Sequence, residues 1–199
     1  MARRKVEVRR EEILAAAEAE VTRRGFARTR VADVADTLGC SSALIFYHFG
    51  TKEKLFAEAL NHASERDLRL LDEAVVKATD PVDGVRRILA LYSPQGNANG
   101  WTLWVDAWSE ALREPEMRET SRQLDVRWKD VLAEQIRAGN AAGIFTCADP
   151  DDAAWRLSAL LDGLAVQVMV HRSLTKKELR SLVLASAAME LGVPASVLT

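Results

Sequence analysis

The sequence predicts an all-α protein, and three observations support this prediction. Apolar residues recur with helical spacing through almost the whole chain. Proline and glycine fall between these periodic runs, as at Pro81, Pro115 and Gly139, where helices are expected to begin or end. No run alternates apolar and polar residues between hairpin-type turns, the pattern of a half-buried strand.

The first three predicted helices contain a helix-turn-helix. A helix over residues 9–24 is followed by a short one that ends at Gly39, which can adopt the left-handed conformation of a helix end. Ser41 can then accept a backbone hydrogen bond as the N-cap of a third helix, residues 42–49. Two short helices joined by a tight turn predict double-stranded DNA as a partner.

Six further helices are predicted towards the C-terminus. Thr51 can cap the first of them, and Asp80 or Thr79 the second. A loop-like link, residues 93–100, separates the second from the third. The six helices cover about residues 51–78, 81–91, 101–113, 115–139, 151–172 and 176–191. We therefore predict an N-terminal domain over residues 1–55 and a C-terminal domain over residues 56–199.

Charge is unevenly divided along the chain. The net charge of −2 is unusual for a DNA-binding protein. Residues 1–58, however, hold eleven Lys and Arg against nine Asp and Glu, so the remainder carries the negative excess. Most of the positive excess lies at the N-terminus, where we predict a flexible basic arm, residues 1–8, that reaches the DNA backbone.

Two further features predict a cytoplasmic protein without a membrane partner. The charged N-terminus is not followed by the apolar core of a signal peptide. The most apolar run, Leu157–Val170, is interrupted by Ser158, Asp162 and Gln167, so no membrane-spanning segment is expected. The two cysteines provide no disulfide framework.

The sequence does not favour an enzyme. His48, His62 and His171 lack the Glu-x-x-His and His-Glu-x-x-His spacings of helical metal sites, and the cysteines lack Cys-x-x-Cys spacing. Neither a Gly-x-Ser-x-Gly motif nor a glycine-rich phosphate loop occurs. We predict no catalytic residues, no metal and no cofactor, and a helical enzyme remains a distant alternative.

Four motifs occur in order between Ile13 and Leu60. They are Arg24-Gly25-Phe26, Ala35-x-x-x-Gly39-x-Ser41, Phe46-Tyr47-His48-Phe49 and Lys52-x-x-Leu55. In this order and spacing they resemble the DNA-binding domain of the TetR family of transcriptional regulators. In one departure, Arg30 stands where members commonly have a threonine paired with the residue at Asp33, so we expect Thr29 to cap the second helix.

The resemblance and the small outward residues of the third helix predict the DNA contacts. Ser42, Ala43 and Tyr47 are expected to discriminate bases through hydroxyl and apolar contacts. His48 and Lys52 are expected to contact phosphate, as the matching positions do in the family. The complete predicted set is Thr29, Arg30, Ser41, Ser42, Ala43, Tyr47, His48 and Lys52.

A tryptophan cluster is the second informative feature. Three tryptophans spaced three and four residues apart share one helix face, and they form either core packing or the wall of an effector pocket. Such a pocket suits an aromatic or cationic small molecule. Residues 101–113 and 160–165 resemble the TetR subgroup that includes the choline–betaine repressor, which implies a quaternary ammonium or polyamine as one candidate. The predicted ligand-binding set is Trp101, Trp104, Asp106, Trp108 and Trp128, flanked by Tyr92, Met169 and Glu110.

The last two predicted helices carry more apolar surface than one buried face needs. The resemblance implies that they meet their copies in a four-helix bundle, which places two helix-turn-helix domains on a palindromic operator. Completing the core of a monomer is the alternative. The predicted dimer interface is Trp155, Leu157, Leu160, Leu161, Gly163, Leu164, Val168, Leu179, Leu182 and Val183.

Together these features predict a homodimeric, sequence-specific DNA-binding regulator, most simply a ligand-responsive repressor. An effector is expected to move the long helix over residues 51–78 and so change the separation of the two DNA-binding domains. The alternative is a helix-turn-helix regulator that is controlled by a partner protein instead of a small molecule.

Overall fold

A computed structural model describes residues 2–94 and 99–198, with the backbone alone described for residues 2–8 and 99. These residues form nine α-helices, and no strand occurs among them. The helices are α1 (Ala2–Arg24), α2 (Val31–Leu38), α3 (Ser42–Phe49), α4 (Lys52–Val76), α5 (Pro81–Tyr92), α6 (Asn99–Ala111), α7 (Pro115–Ala141), α8 (Pro150–Val166) and α9 (Lys176–Leu191). A π-helical turn, Gln167–His171, follows α8, and a 3-10 turn, Ala195–Val197, follows α9. The all-α prediction is confirmed.

The chain folds into two compact units. Unit one comprises Met1–Asp67 and Asn99–Gln123, and unit two comprises Leu68–Ala98 and Leu124–Thr199. Unit one therefore holds α1, α2, α3 and α6, while α5, α8 and α9 belong to unit two. Helices α4 and α7 contribute residues to both units.

The core of unit one forms where α1, α2 and α3 pack together and α6 packs on α1. Fully buried aliphatic side chains supply the apolar contacts, among them Ile13, Ile45 and Leu55. Gly39 ends α2 in the left-handed conformation, with φ of 62°. The Ser41 hydroxyl accepts from the Leu44 N–H at 3.3 Å. The predicted turn of the helix-turn-helix is thus confirmed at both of these residues.

Unit one differs from the sequence predictions at two places. Helix α1 begins at Ala2, because no glycine or proline precedes Arg10 to stop it, so the predicted arm is helical along its described backbone. The N-cap of α2 is Arg30 rather than Thr29. The Asp33 carboxylate accepts from the Arg30 N–H at 2.8 Å, so the cap is supplied from inside the helix.

The core of unit two is built mainly by α5, α8, α9 and the later part of α7. Ile88, Ile136, Leu161 and Leu191 are among its fully buried side chains. The predicted N-cap of α5 is confirmed, because the Asp80 carboxylate accepts from the Asp83 N–H at 2.9 Å. The predicted link before α6 includes residues 95–98, which lie outside the described residues.

One helical segment of the described chain, Pro150–His171, is long and apolar enough to cross a membrane by length and composition. This corrects the sequence prediction, because three polar interruptions do not offset the aliphatic residues averaged over the helix. A helix in the core of a protein that does not enter a membrane can have the same length and apolar composition. In this protein 33% of the most apolar 18-residue stretch of the segment is buried inside the chain, because α8 packs against α9 on one side.

Candidate functional site

The outward face of α3 carries an exposed aromatic group on small neighbours. Tyr47 is 81% exposed, and its ring meets the His48 ring edge to face at 5.5 Å. Ser42 is half-buried and Ala43 is exposed one turn earlier on the helix. Because the exposed Tyr47 ring gains little from packing within the chain, this face is available to a partner.

Cationic side chains flank this face. Arg30 is exposed and pairs with Asp33 at 3.2 Å. The Lys52 ammonium lies over the Phe56 ring at 5.4 Å, which holds the first turn of α4.

Thr29, also predicted to face DNA, is fully buried, and its hydroxyl donates to the Gly25 carbonyl at 2.7 Å. Its side chain is therefore not at the surface, and the DNA contacts proposed below omit it.

A buried carboxylate fixes the position of α2 against α1. Glu20 accepts from the Thr37 hydroxyl at 2.9 Å and from the Arg24 guanidinium at 2.8 Å. Arg23 donates to the same carboxylate at 2.5 Å. Although burial opposes ionisation, these hydrogen bonds hold the pKa of Glu20 below its usual range. A charged Glu20 thus stabilises the framework beneath α3.

A second carboxylate connects α6 to the corner between α1 and α2. The Asp106 carboxylate accepts from the Phe26 N–H at 2.6 Å. It lies beside Gly25, which has φ of 86°. Asp106 was predicted to bind a ligand, but in the structure it satisfies a backbone donor of the helix-turn-helix domain, and the ligand site proposed below omits it.

The predicted tryptophan cluster of α6 lies in unit one. Trp104 is buried, and its indole N–H donates to the Asp67 carboxylate at 2.8 Å. Asp67 in turn pairs with Arg66 at 3.2 Å, and Arg66 contacts Glu18 on α1. Trp101 and Trp108 meet edge to face at 5.7 Å. These side chains link α6 to α4 and, through Arg66, to α1.

Unit two contains a carboxylate among aromatic rings. The Tyr92 hydroxyl, at the end of α5, donates to Asp162 of α8 at 2.8 Å. The Trp128 ring of α7 meets the Tyr92 ring edge to face at 5.0 Å. Burial, assisted by the charge of Asp125, raises the pKa of Asp162 to about 6, although the Tyr92 hydrogen bond and the charge of Lys129 act in the opposite direction. Burial and the neighbouring Asp162 also raise the pKa of Tyr92.

This group of residues has the chemistry of a site for an organic cation. A partly desolvated carboxylate is stabilised by a positive charge, and aromatic faces attract cations that are not strongly hydrated. Of the predicted ligand-binding set, Trp128 lies in this group, whereas Trp101, Trp104, Asp106 and Trp108 lie in unit one. Sequence reasoning placed Tyr92 only at the edge of the site and missed Asp162. The sequence does mark Asp162 as unusual, because it is an acidic residue within an apolar helical run, and such a residue is rarely buried without a role.

The outer surfaces of α8 and α9 carry exposed apolar residues at helical spacing. Trp155 is 60% exposed, Leu182 is 45% exposed and Met189 is 84% exposed. We define the α8–α9 stripe as Trp155, Ala159, Gly163 and Val170 together with Leu182, Ala185 and Met189, all exposed. Arg156 and Glu190 join the two helices by an ion pair of 2.7 Å.

The predicted dimer interface divides by burial. Leu157, Leu161, Leu179 and Val183 are buried within unit two, so their apolar surface is already used by the chain itself. Leu160, Leu164 and Val168 are half-buried. Trp155, Gly163 and Leu182 are exposed and belong to the stripe.

Family models match both parts of the chain. The model described as bacterial regulatory proteins, tetR family, matches residues 13–59. The model described as the BetI-type transcriptional repressor, C-terminal, matches residues 81–192. The HTH-type transcriptional regulator BetI of Stenotrophomonas maltophilia is 30% identical over 164 residues, which are 79% of this chain and 79% of that protein. The HTH-type transcriptional regulator LmrA of Bacillus subtilis is 27% identical over 133 residues, 64% of this chain and 71% of LmrA.

Solved structures share the fold. A transcriptional regulator from Saccharomonospora viridis, crystallised in complex with choline, is 30% identical with a TM-score of 0.82. The match covers 89% of this chain and 94% of that one. A TetR transcription regulator from Haloarcula marismortui is 25% identical with a TM-score of 0.81, over 94% of this chain and 97% of that one.

The partly buried Asp162 carboxylate leads to a prediction about stability. Because the pKa of Asp162 rises from 3.8 to about 6 on folding, the unfolded chain ionises first as the pH increases, and stability is lost across that window. The Asp162→Asn variant avoids this loss. After allowance for solvent screening, we expect it to be about 1–2 kcal/mol more stable than the wild type near neutral pH. The advantage should shrink towards about pH 4, as followed by urea unfolding across this range.

The control is Asp72→Asn, which removes an exposed aspartate of unit two that pairs with Arg127 at 3.3 Å. It should change the free energy of unfolding by no more than about 0.5 kcal/mol at any of these pH values. Equal stability of Asp162→Asn and wild type near neutral pH would show that Asp162 is not penalised by burial.

Proposed function

Because the chain belongs to the TetR family of transcriptional regulators, we propose that it is a cytoplasmic repressor that acts as a homodimer on a palindromic operator and is released by an organic cation. It is a DNA-binding regulator and not an enzyme. The observation that carries the ligand class is the partly buried Asp162 carboxylate bonded to Tyr92 beside Trp128.

Choline is the first candidate effector. A regulator with the same fold and 30% identity has been crystallised with choline. A quaternary ammonium offers no N–H donor, so its recognition relies on charge and aromatic faces, which Asp162, Tyr92 and Trp128 provide. Binding of a permanent cation favours the ionised carboxylate and offsets the penalty that burial imposes on Asp162.

The proposed DNA contacts use the exposed face of α3 and its flanks. Ser42, Ala43 and Tyr47 face the base edges, where a hydroxyl, a methyl group and a phenol can discriminate base pairs. Cationic or hydrogen-bonding side chains beside them, Arg30, His48 and Lys52, contact phosphates and set the register. The functional division that follows is DNA binding by residues 1–55 and effector binding and dimerisation by residues 56–199.

The proposed dimer forms through the α8–α9 stripe. Two adjacent helices with exposed apolar residues at helical spacing are suited to meet the same surface of a second copy around a two-fold axis. Gly163 leaves its helix surface open, because a Cβ added there meets no atom within 4 Å. A two-fold dimer presents two α3 helices to symmetric half-sites, which accounts for a palindromic operator.

The effector test uses choline and pH together. Choline keeps its charge at every pH, so any change in its affinity between pH 5 and 8 reports on the protein. We expect choline affinity to fall by about tenfold for each pH unit below about 6, as Asp162 takes up its proton. Tryptophan fluorescence or calorimetry measures the binding, and a fluorescent promoter duplex measures release from DNA.

Asp162→Asn should weaken choline binding and remove its pH dependence, whereas Asp72→Asn should leave both unchanged. If choline neither binds nor releases DNA while DNA binding persists, the repressor assignment stands and the cation proposal fails. In that case the sequence-based alternative of control by a partner protein gains support.

The DNA contacts lead to a prediction for Tyr47. Because its ring is exposed, Tyr47→Ala should leave the free energy of unfolding nearly unchanged and lower affinity for duplexes from its own promoter region by about tenfold or more. Tyr47→Phe separates the hydroxyl from the ring. The control, Leu112→Ala, alters an exposed residue after α6. Unchanged binding by folded Tyr47→Ala contradicts the assigned face.

The stripe leads to a prediction about assembly. Leu182→Glu places a charge on an exposed position of α9, so it should convert a dimer to a folded monomer and weaken operator binding. Analytical ultracentrifugation measures the assembly. Lys177→Glu alters another exposed position of α9 outside the stripe and should remain dimeric. A wild-type protein that is monomeric, or a Leu182→Glu variant that dimerises like the wild type, argues against this interface.

A further inference from the structure

Unit two contains a cleft between α5 and α9 that no part of the proposed function uses. Its volume is about 170 Å³. An engineered apolar cavity of about 150 Å³ holds a benzene molecule, so a cleft of this size accommodates one small ring or a short aliphatic chain. The lining residues are Asp83, Arg86, Arg87, Leu89, Ala90, Ser93, Arg180, Val183, Leu184 and Leu198.

The cleft combines an apolar floor with cationic walls. Leu89 of α5, Val183 of α9 and Leu198 near the C-terminus are buried and supply the floor. Among the described lining residues, three arginines face a single carboxylate, Asp83. The cleft therefore has an excess of positive charge beside a surface that favours apolar groups.

The three arginines differ in their internal partners. The Arg87 guanidinium donates to Asp83 at 2.6 Å, so this pair is satisfied within α5. In the part of the chain that the structure describes, neither Arg86 nor Arg180 forms an ion pair or a side-chain hydrogen bond. Arg86 is half-buried and Arg180 exposed, one on each of the two helices that border the cleft. Among the described residues, no carboxylate is bonded to either guanidinium, so both can bind an anion placed between them.

We propose that this cleft binds a small organic carboxylate with a compact apolar body. Arg86 and Arg180 hold the carboxylate, because a guanidinium matches the two oxygens of that group. Leu89, Val183 and Leu198 contact the apolar body. The cleft is separate from the proposed cation site, because Tyr92, Trp128 and Asp162 do not line it. Its ligand is also opposite in charge to the cation expected there.

The position of Ser93 connects the cleft to the rest of unit two. Ser93 lines the cleft and its hydroxyl donates to the Leu89 carbonyl at 2.6 Å, which holds the last turn of α5. The preceding residue, Tyr92, donates to Asp162. A ligand in the cleft would therefore contact the same helical turn that holds the Tyr92 hydroxyl against Asp162.

Benzoate is the first probe, and benzamide is its neutral isostere. In methyl-labelled protein without DNA, benzoate should produce saturable NMR shifts at Val183, Leu184 and Leu198. Benzamide should bind about tenfold more weakly, because it cannot form the charge-assisted hydrogen bonds. Arg86→Gln and Arg180→Gln should each weaken benzoate binding by about tenfold.

Two variants make the test independent of folding defects. Ala90→Phe fills the cleft from an exposed position and should abolish the methyl shifts without unfolding the protein. Arg122→Gln, which removes an exposed arginine paired with Glu119 in unit one, should bind benzoate like the wild type. The proposal is overturned by any of three results: no saturable shift, equal binding of benzamide, or benzoate binding that survives Arg86→Gln and Ala90→Phe.

Discussion

The hydrogen bond between the Phe26 N–H and the Asp106 carboxylate is the constraint on which the DNA-binding domain depends. It joins the turn after α1 to a helix that lies 80 residues further along the chain. Gly25 is required at this point for two reasons. Its φ of 86° is unfavourable for other residues, and an added Cβ would lie 3.2 Å from the Asp106 Oδ2 atom. The geometry of the corner therefore depends on both residues, and a shift of α6 moves the start of the helix-turn-helix with it.

Three carboxylates that accept hydrogen bonds inside the chain fall into two groups, and this division separates framework from candidate site. Glu20 receives hydrogen bonds from two arginines, and Asp106 satisfies a backbone donor. The hydrogen bonds to Glu20 stabilise its charged form within the protein. Asp162 instead receives its hydrogen bond from the neutral Tyr92 hydroxyl and has its pKa raised by burial. An unbalanced carboxylate of this kind is retained at a cost in stability, which favours a functional role over a structural one.

The fold was largely predictable from the sequence because its signals are local. Helical periodicity predicts the helices, and Gly39 and Ser41 mark the turn through backbone conformation and capping, which depend on neighbouring residues. The contacts of Asp106 and Asp162 were not predictable in this way. Each depends on a partner that is distant in sequence, Phe26 or Tyr92, and helical spacing does not identify such a partner. The cap of α2 was predicted only in part. Asp33 was expected to take part in capping, but the N-cap residue was expected to be Thr29 and is Arg30.

Helical periodicity also does not predict which apolar face of a helix is buried, as the last two helices show. Both sides of α8 are apolar, so sequence alone does not separate the face that packs on α9 from the face left exposed. The structure separates them and places both proposed sites on one helix. Asp162 faces Tyr92, whereas Gly163, one residue later, belongs to the exposed α8–α9 stripe. Successive residues of a helix point about 100° apart, so a rotation of α8 that accommodates a cation at Asp162 also displaces the proposed dimer surface.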